Sequence, residues 1–167
     1  MGNRVIILDS SAIINGYNPL LAVNEKQIMP ACALNEILQK DEMEVVERAV
    51  ELNKLELINP KNVFIVKVMD IADKTKDITY LSEVDISTIA LALEFKELGY
   101  EPIVVTDDFS IQNILKYLEI KYLPVITRGI KRIIMWKLYC PACKREYYEN
   151  IDTCSICGAK LKRKPRF

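Results

Sequence analysis

Apolar residues along the chain fall into short continuous runs separated by longer stretches with helical spacing. Val5–Leu8 and Ile103–Val105 are apolar throughout, and Asp-Ser-Ser and Thr-Asp-Asp end them. Runs of that length fit strands buried on both faces, as parallel sheets require. Gln27–Met29 and Leu57-Ile58 predict two further strands, and Tyr122–Ile126, interrupted by Pro124, predicts an edge strand. Between these lie helical segments at Ser11–Asn15, Ala31–Gln39 after Pro30, and Asp41–Lys54, which gathers Val45, Val46, Ala49 and Val50 on one stripe. Asp85–Leu98, capped at Ser82 and ended by Gly99, and Ser110–Leu118 complete the set. Val63–Ile71 fits neither period, and Asp73–Thr79 reads as a charged connection. Strand–helix alternation of this kind predicts an α/β fold with a central parallel sheet covered on both faces.

Acidic residues sit at the edges of these apolar segments. Asp9 follows the first strand, Glu36 lies in Leu34-Asn35-Glu36-Ile37-Leu38, Asp85 opens the long apolar helix, and Asp107-Asp108 follow the second clear strand. Each has an ordinary alternative role. Asp9 and Asp108 suit N-caps, Asp85 matches a capping box with Ser82, and Glu36 suits a solvent-facing helix position. Taken together they are carboxylates at strand ends, where open α/β sheets bind their ligands. Carboxylates sharing a site oppose one another's ionisation, and a divalent cation with a taste for oxygen, Mg²⁺ or Mn²⁺, relieves that. Of Asp107 and Asp108 one is expected to face the metal, Asp108 being preferred, and the other to support it or cap the next helix; the residues alone leave the choice between them open.

Charge divides the chain in two. Residues 1–127 carry 12 Lys/Arg against 20 Asp/Glu, net −8, and residues 128–167 carry 11 against 3, net +8. The acidic part suits cations and the basic end suits a polyanion. The chain has no histidine, which excludes Ser-His-Asp and Cys-His catalysis and any imidazole base or ligand. Cys140-Pro-Ala-Cys143 and Cys154-Ser-Ile-Cys157 pair four of the five cysteines. That spacing turns both thiolates of a pair toward one ion, and two pairs complete a tetrahedral sulfur shell for one structural zinc. Cys32, alone in an apolar pattern, is expected in the core. No apolar run approaches the ~20 residues of a membrane helix, and Val5–Leu8 is too short for a signal segment, so a cytoplasmic protein without a membrane anchor is expected. Lys137, Lys144, Arg145, Lys160, Lys162, Arg163, Lys164 and Arg166 supply candidate phosphate contacts. Trp136, Tyr139, Tyr147 and Tyr148 either stack on unpaired bases or pack around the zinc knuckles. The organisation expected is one α/β domain over 1–125, a linker over 126–136, and a zinc ribbon with a basic tail over 137–167.

The ordered set Asp9-Ser10-Ser11-Ala12, Glu36, Asp85-Ile-Ser-Thr-Ile-Ala-Leu-Ala and Val-Val-Thr-Asp-Asp-Phe-Ser-Ile-Gln-Asn resembles the PIN family of metal-dependent ribonucleases over roughly residues 1–125. The resemblance implies an α/β/α sandwich whose carboxylates, on Asp9, Glu36, Asp85 and Asp107 or Asp108, hold Mg²⁺ or Mn²⁺ for phosphodiester hydrolysis. Glu36 is then a ligand or a base. A further acid common in such domains is replaced here, where Ser110 or Asn113 occupies the stretch. With the four-cysteine ribbon attached, the chain is similar to the Nob-type endonucleases, in their compact archaeal form. That similarity implies cleavage of precursor small-subunit ribosomal RNA near its 3′ end, with RNA and the pre-ribosomal particle as partners. The alternatives are a toxin-like PIN ribonuclease acting on other RNA, a non-catalytic assembly factor, and a phosphatase using Asp9 as nucleophile. The phosphatase needs a second acid two residues on, where Ser11 stands.

Overall fold

The computed structural model describes residues 3–22, 25–130, 133–149 and 151–165; Arg166 and part of the 126–136 segment lie outside them. Five strands, β1 (Arg4–Leu8), β2 (Lys26–Met29), β3 (Glu56–Leu57), β4 (Glu101–Val105) and β5 (Lys121–Leu123), form one sheet in the order β3-β2-β1-β4-β5. All neighbours pair in parallel, with Leu8 opposite Val105. Five α-helices accompany it: α1 (Ser10–Ile14), α2 (Lys40–Glu51), α3 (Asn62–Thr75), α4 (Glu83–Glu97) and α5 (Phe109–Tyr117). Alternate strand residues feed two cores. Val5, Ile7 and Val104 pack with Phe64, Val68, Ile89, Ile114 and Leu115 of α3, α4 and α5. Ile6, Leu8 and Val105 pack with Ala12, Ala33, Val46 and Ala49 on the opposite face. The result is an α/β/α sandwich, as the alternation predicts. Half-buried Cys32 joins the second core. Among the described residues no helix is long and apolar enough to cross a membrane.

Two elements differ from the sequence expectation. Ala31–Glu36 is a 3₁₀-helix and ends before Gln39, so Glu36 closes it. The ambiguous stretch and the start of the charged connection, as far as Thr75, are one helix, α3, which buries Phe64, Val68, Ala72 and Thr75 in a stripe. Val63, Val66 and Met69 stay exposed on its outer side, and they blur the period. The long helix α4 starts on the expected capping box: Ser82 Oγ accepts from the Asp85 amide at 3.1 Å, and Asp85 Oδ2 accepts from the Ser82 amide at 2.7 Å. Ile7 and Leu115 are fully buried from opposite sides of one core. Truncating either to Ala is expected to cost about 2–5 kcal/mol of stability, read as a lower urea midpoint.

A second sheet of three antiparallel strands, order β7-β6-β8, forms the C-terminal part from β6 (Trp136–Tyr139), β7 (Glu146–Tyr147) and β8 (Lys162–Pro165). The first strand of this sheet starts at Trp136. The basic run near the end is a paired strand, with Lys164 opposite Lys137 and Arg163 opposite Leu138. The expected linker is pinned to the first module where it is described. The Ile130 amide donates to Gln112 Oε1 at 3.1 Å, Tyr122 Oη donates to Ile130 O at 2.8 Å, and the Ile134 amide donates to Asn113 Oδ1 at 2.7 Å.

Candidate active site

In the sheet, β1 leads on one side to β2 and on the other to β4, so connections leave in opposite directions at the β1/β4 boundary. The carboxyl ends of strands at such a boundary bound a crevice where α/β proteins hold ligands. Asp9 stands at the end of β1, its amide bonded to Val105 O at 3.2 Å, and Thr106, Asp107 and Asp108 leave the end of β4 beside it.

Asp9 takes the N-cap position of α1 but its side chain makes no cap hydrogen bond. Its Oδ2 instead accepts from Ser11 Oγ at 2.6 Å and from Thr106 Oγ1 at 2.9 Å. The residue is 1% exposed, and its Oδ1 is buried with no hydrogen-bond partner. Burial raises the Asp9 pKa; the Ser11 and Thr106 hydroxyls oppose this, and Glu36 and Asp108 add to it. Asp85 is pushed up to about 6, first by burial, against the pull of the Ser82 contacts, with Asp9 and Asp108 again adding repulsion. Glu36 is oriented by a hydrogen bond from Ser10 Oγ. Asp9, Glu36, Asp85 and Asp108 therefore share one electrostatic neighbourhood, although they come from four separate segments.

Asp107 and Asp108 divide their work. The Asp107 carboxylate accepts from the amides of Val125, Ile126 and Thr127 at 2.9–3.2 Å and from Asn15 Nδ2 at 2.8 Å. Burial acts to raise its pKa, but the Thr127 amide and Asn15 outweigh that and hold it below the usual value. It binds the loop after β5 to α1. Asp108 caps α5 through Oδ1, accepting from Ser110 at 2.6 Å and Ile111 at 3.0 Å. Ser110 and Asn113, at the place of the missing acid, are neutral, and Asn113 faces Asp77 and Ile134.

A divalent cation fits the donor chemistry here: hard oxygens from separate segments, Asp9 and Asp85 carboxyls raised by burial with neighbouring acids adding to it, and a buried Asp9 oxygen without a partner. The acids are less tightly gathered than the cysteines. Among the described residues, the four cysteines alone form a group whose ligand atoms all lie within 4.8 Å of one another. Repulsion among ionised carboxylates works against a tighter set.

At the ribbon, Cys140 and Cys157 sulfurs are 3.4 Å apart, and those of Cys143 and Cys154 3.5 Å. A disulfide needs about 2.05 Å. Four thiolates around one zinc at about 2.3 Å sit near these separations, so the cluster has the geometry of a zinc ribbon. Tyr147 Oη, 2.9 Å from Cys154 Sγ, lowers the pKa of that thiol. Of the candidate phosphate contacts, Lys144, Arg145, Lys160 and Lys162 are exposed. Lys137 and Lys164 both pair with Glu146, at 3.0 and 2.9 Å, and Arg163 pairs with Asp77 at 3.0 Å. Trp136, Tyr139 and Tyr147 are likewise engaged within the protein, leaving Tyr148 turned to solvent. Ser10, Ser11, Asn15 and Thr106 hydrogen-bond these acids, a set of contacts that spans distant segments and leaves little trace in the sequence. Its one signal is that Asp-Ser-Ser and Thr-Asp-Asp hold more hydroxyls than two helix caps need.

Known proteins resemble this chain over most of its length. A family described as the PIN domain of ribonuclease matches residues 6–95. Endoribonuclease Nob1 of Methanocaldococcus jannaschii is 37% identical over 96% of this chain and 78% of its own length. The corresponding protein of Methanothermobacter thermautotrophicus is 34% identical over 95% and 91%. Ribonuclease VapC1 of Thermoplasma acidophilum is 32% identical over 95% and 77%. The chain therefore belongs to the PIN-domain ribonucleases and, within them, to the Nob1 endoribonucleases, metal-dependent enzymes that cut RNA internally.

Proposed function

We propose that this endoribonuclease cleaves precursor small-subunit ribosomal RNA near its 3′ end, in the cytoplasm and on the pre-ribosomal particle. The observation that carries the reading is the union of two parts in one chain: a carboxylate set at the β1/β4 boundary with an unpartnered buried oxygen on Asp9, and a basic four-cysteine ribbon. Similarity to proteins named endoribonuclease Nob1 supports the substrate class.

Asp9, Asp85 and Asp108 would hold Mg²⁺ or Mn²⁺, and Cys140, Cys143, Cys154 and Cys157 would hold zinc. The divalent cation supplies the Lewis acidity that activates water and offsets charge growing on the phosphate. The chain's own groups set the geometry. Ser11 and Thr106 fix the Asp9 carboxylate, and Ser10 turns Glu36 to ligate or to accept a proton from water. Asp107 serves by keeping the loop 125–127 against the site. Lys144, Arg145, Lys160 and Lys162, exposed on the ribbon, meet phosphates that the acidic half repels. Replacing any of these four by Gln is expected to lower the salt slope of RNA binding by about 1. Filter binding across a salt series measures it, and an unchanged slope in all four would remove the ribbon from the grip.

The deciding experiment is incubation with precursor small-subunit ribosomal RNA and Mn²⁺, with both product ends mapped. One defined cut near the mature 3′ end is expected. The match to ribonuclease VapC1 favours a second reading, cleavage of other RNA. Transfer or messenger RNA cut in preference to the precursor would establish that reading instead.

A further inference from the structure

Arg163 looks from sequence like one more phosphate contact, yet its guanidinium lies inside the molecule. It is sandwiched between two rings, 3.5 Å from the Tyr80 centroid and 4.2 Å from the Trp136 centroid. It donates to Asp77 Oδ1 at 3.0 Å, and the two side chains are 20% and 1% exposed. Asn113 of α5 completes the arrangement, donating to Asp77 Oδ2 at 2.7 Å and to Ile134 O at 2.8 Å. Asp77 and Tyr80 lie in the connection that leads into the Ser82–Asp85 capping box, and Trp136 and Arg163 lie on paired strands of the ribbon. These contacts therefore run from the lead-in of an acid in the active site directly to the zinc-binding module.

A buried ion pair is a poor choice if stability alone is needed, because apolar side chains of equal volume do as well or better. A planar guanidinium held by a carboxylate and two stacked rings supplies orientation instead. We infer that Asp77, Tyr80, Asn113, Trp136 and Arg163 form a clamp that fixes the ribbon's hold on RNA at a set distance from the carboxylates, so that the cut falls at a defined spacing from the bound RNA element. Arg163 is a positioning residue. The inference rests on the reading that the carboxylates cut and the ribbon grips.

The test compares full-length wild type, Asp77→Asn and Arg163→Lys, with Mn²⁺. One substrate is a long RNA whose product ends are mapped, and the other an oligonucleotide too short to reach the ribbon. Asp77→Asn keeps shape and loses charge. Arg163→Lys keeps a charge for any phosphate but loses the planar group that stacks between the two rings. Trp136, the one tryptophan in the chain, reports opening of the clamp through its emission. In both variants the emission shifts and the long-RNA product ends spread over several positions. Cleavage at the wild-type position falls about 10- to 100-fold, the penalty of slight misplacement. Asp77→Asn cuts the short RNA at the wild-type rate, and RNA affinity and its salt slope stay unchanged. Product ends that do not move in either variant overturn the clamp. A loss of RNA affinity in Arg163→Lys alone, with ends unmoved, also overturns it and makes Arg163 an RNA contact. Undiminished cutting of both RNAs by Asp9→Asn would instead sink the carboxylate reading beneath it.

Discussion

Asp9→Asn is expected to lower RNA cleavage at least about 100-fold, since even groups one layer out from a catalytic metal cost 10–100-fold when changed. The same substitution should leave the fold intact. An asparagine carbonyl oxygen can still accept from Ser11 and Thr106, and a buried carboxylate whose pKa is raised chiefly by desolvation no longer has to be ionised. Thermal unfolding should therefore show a midpoint no lower than that of the wild type, and RNA affinity should persist because the grip lies elsewhere. Cleavage with Mn²⁺, circular dichroism and filter binding on one preparation separate these effects. A variant that cuts RNA normally would reduce Asp9 to the structural role that its lack of a cap hydrogen bond argues against.

The second large effect is expected at the sulfur cluster. The core of the ribbon is small: Cys140, Cys154 and Leu161 are its buried apolar members, with Leu138, Tyr147, Ile151 and Ala159 packed around them. Such a segment buries too little to fold by itself, and structural zinc contributes on the order of 10–16 kcal/mol in comparable peptides. The double variant Cys140→Ser, Cys154→Ser should lose its zinc, and the amide signals of 136–165 should collapse to unfolded positions. The parallel sheet, whose cores are separate, should remain. RNA affinity should drop with the ribbon. Native amide dispersion in the zinc-free variant would show that the sulfurs are neighbours and nothing more.

Much of this was legible in the chain because buried parallel strands leave an unmistakable print. Val5–Leu8 and Ile103–Val105 are apolar on both faces, so the polar residues that end them mark the strand ends and the acids that stand there. Asp107 and Asp108 could not be separated, because both suit a cap, and only the fold shows the loop 125–127 delivering its amides to one of them. The helical pattern around Glu36 hides a 3₁₀ turn, since one apolar spacing serves both over six residues. Arg163 was the least legible. Its run, Lys-Arg-Lys-Pro, has no alternation, and an ion-pair partner 86 positions away leaves no local trace.

That separation bears on how the molecule assembles. Contacts between distant positions form late, because a long loop must close before they are made. Refolding followed by stopped flow should regain far-UV ellipticity first and Trp136 emission afterwards. During the interval the enzyme has its blade but lacks its ruler, and any RNA it severs then would carry ragged termini.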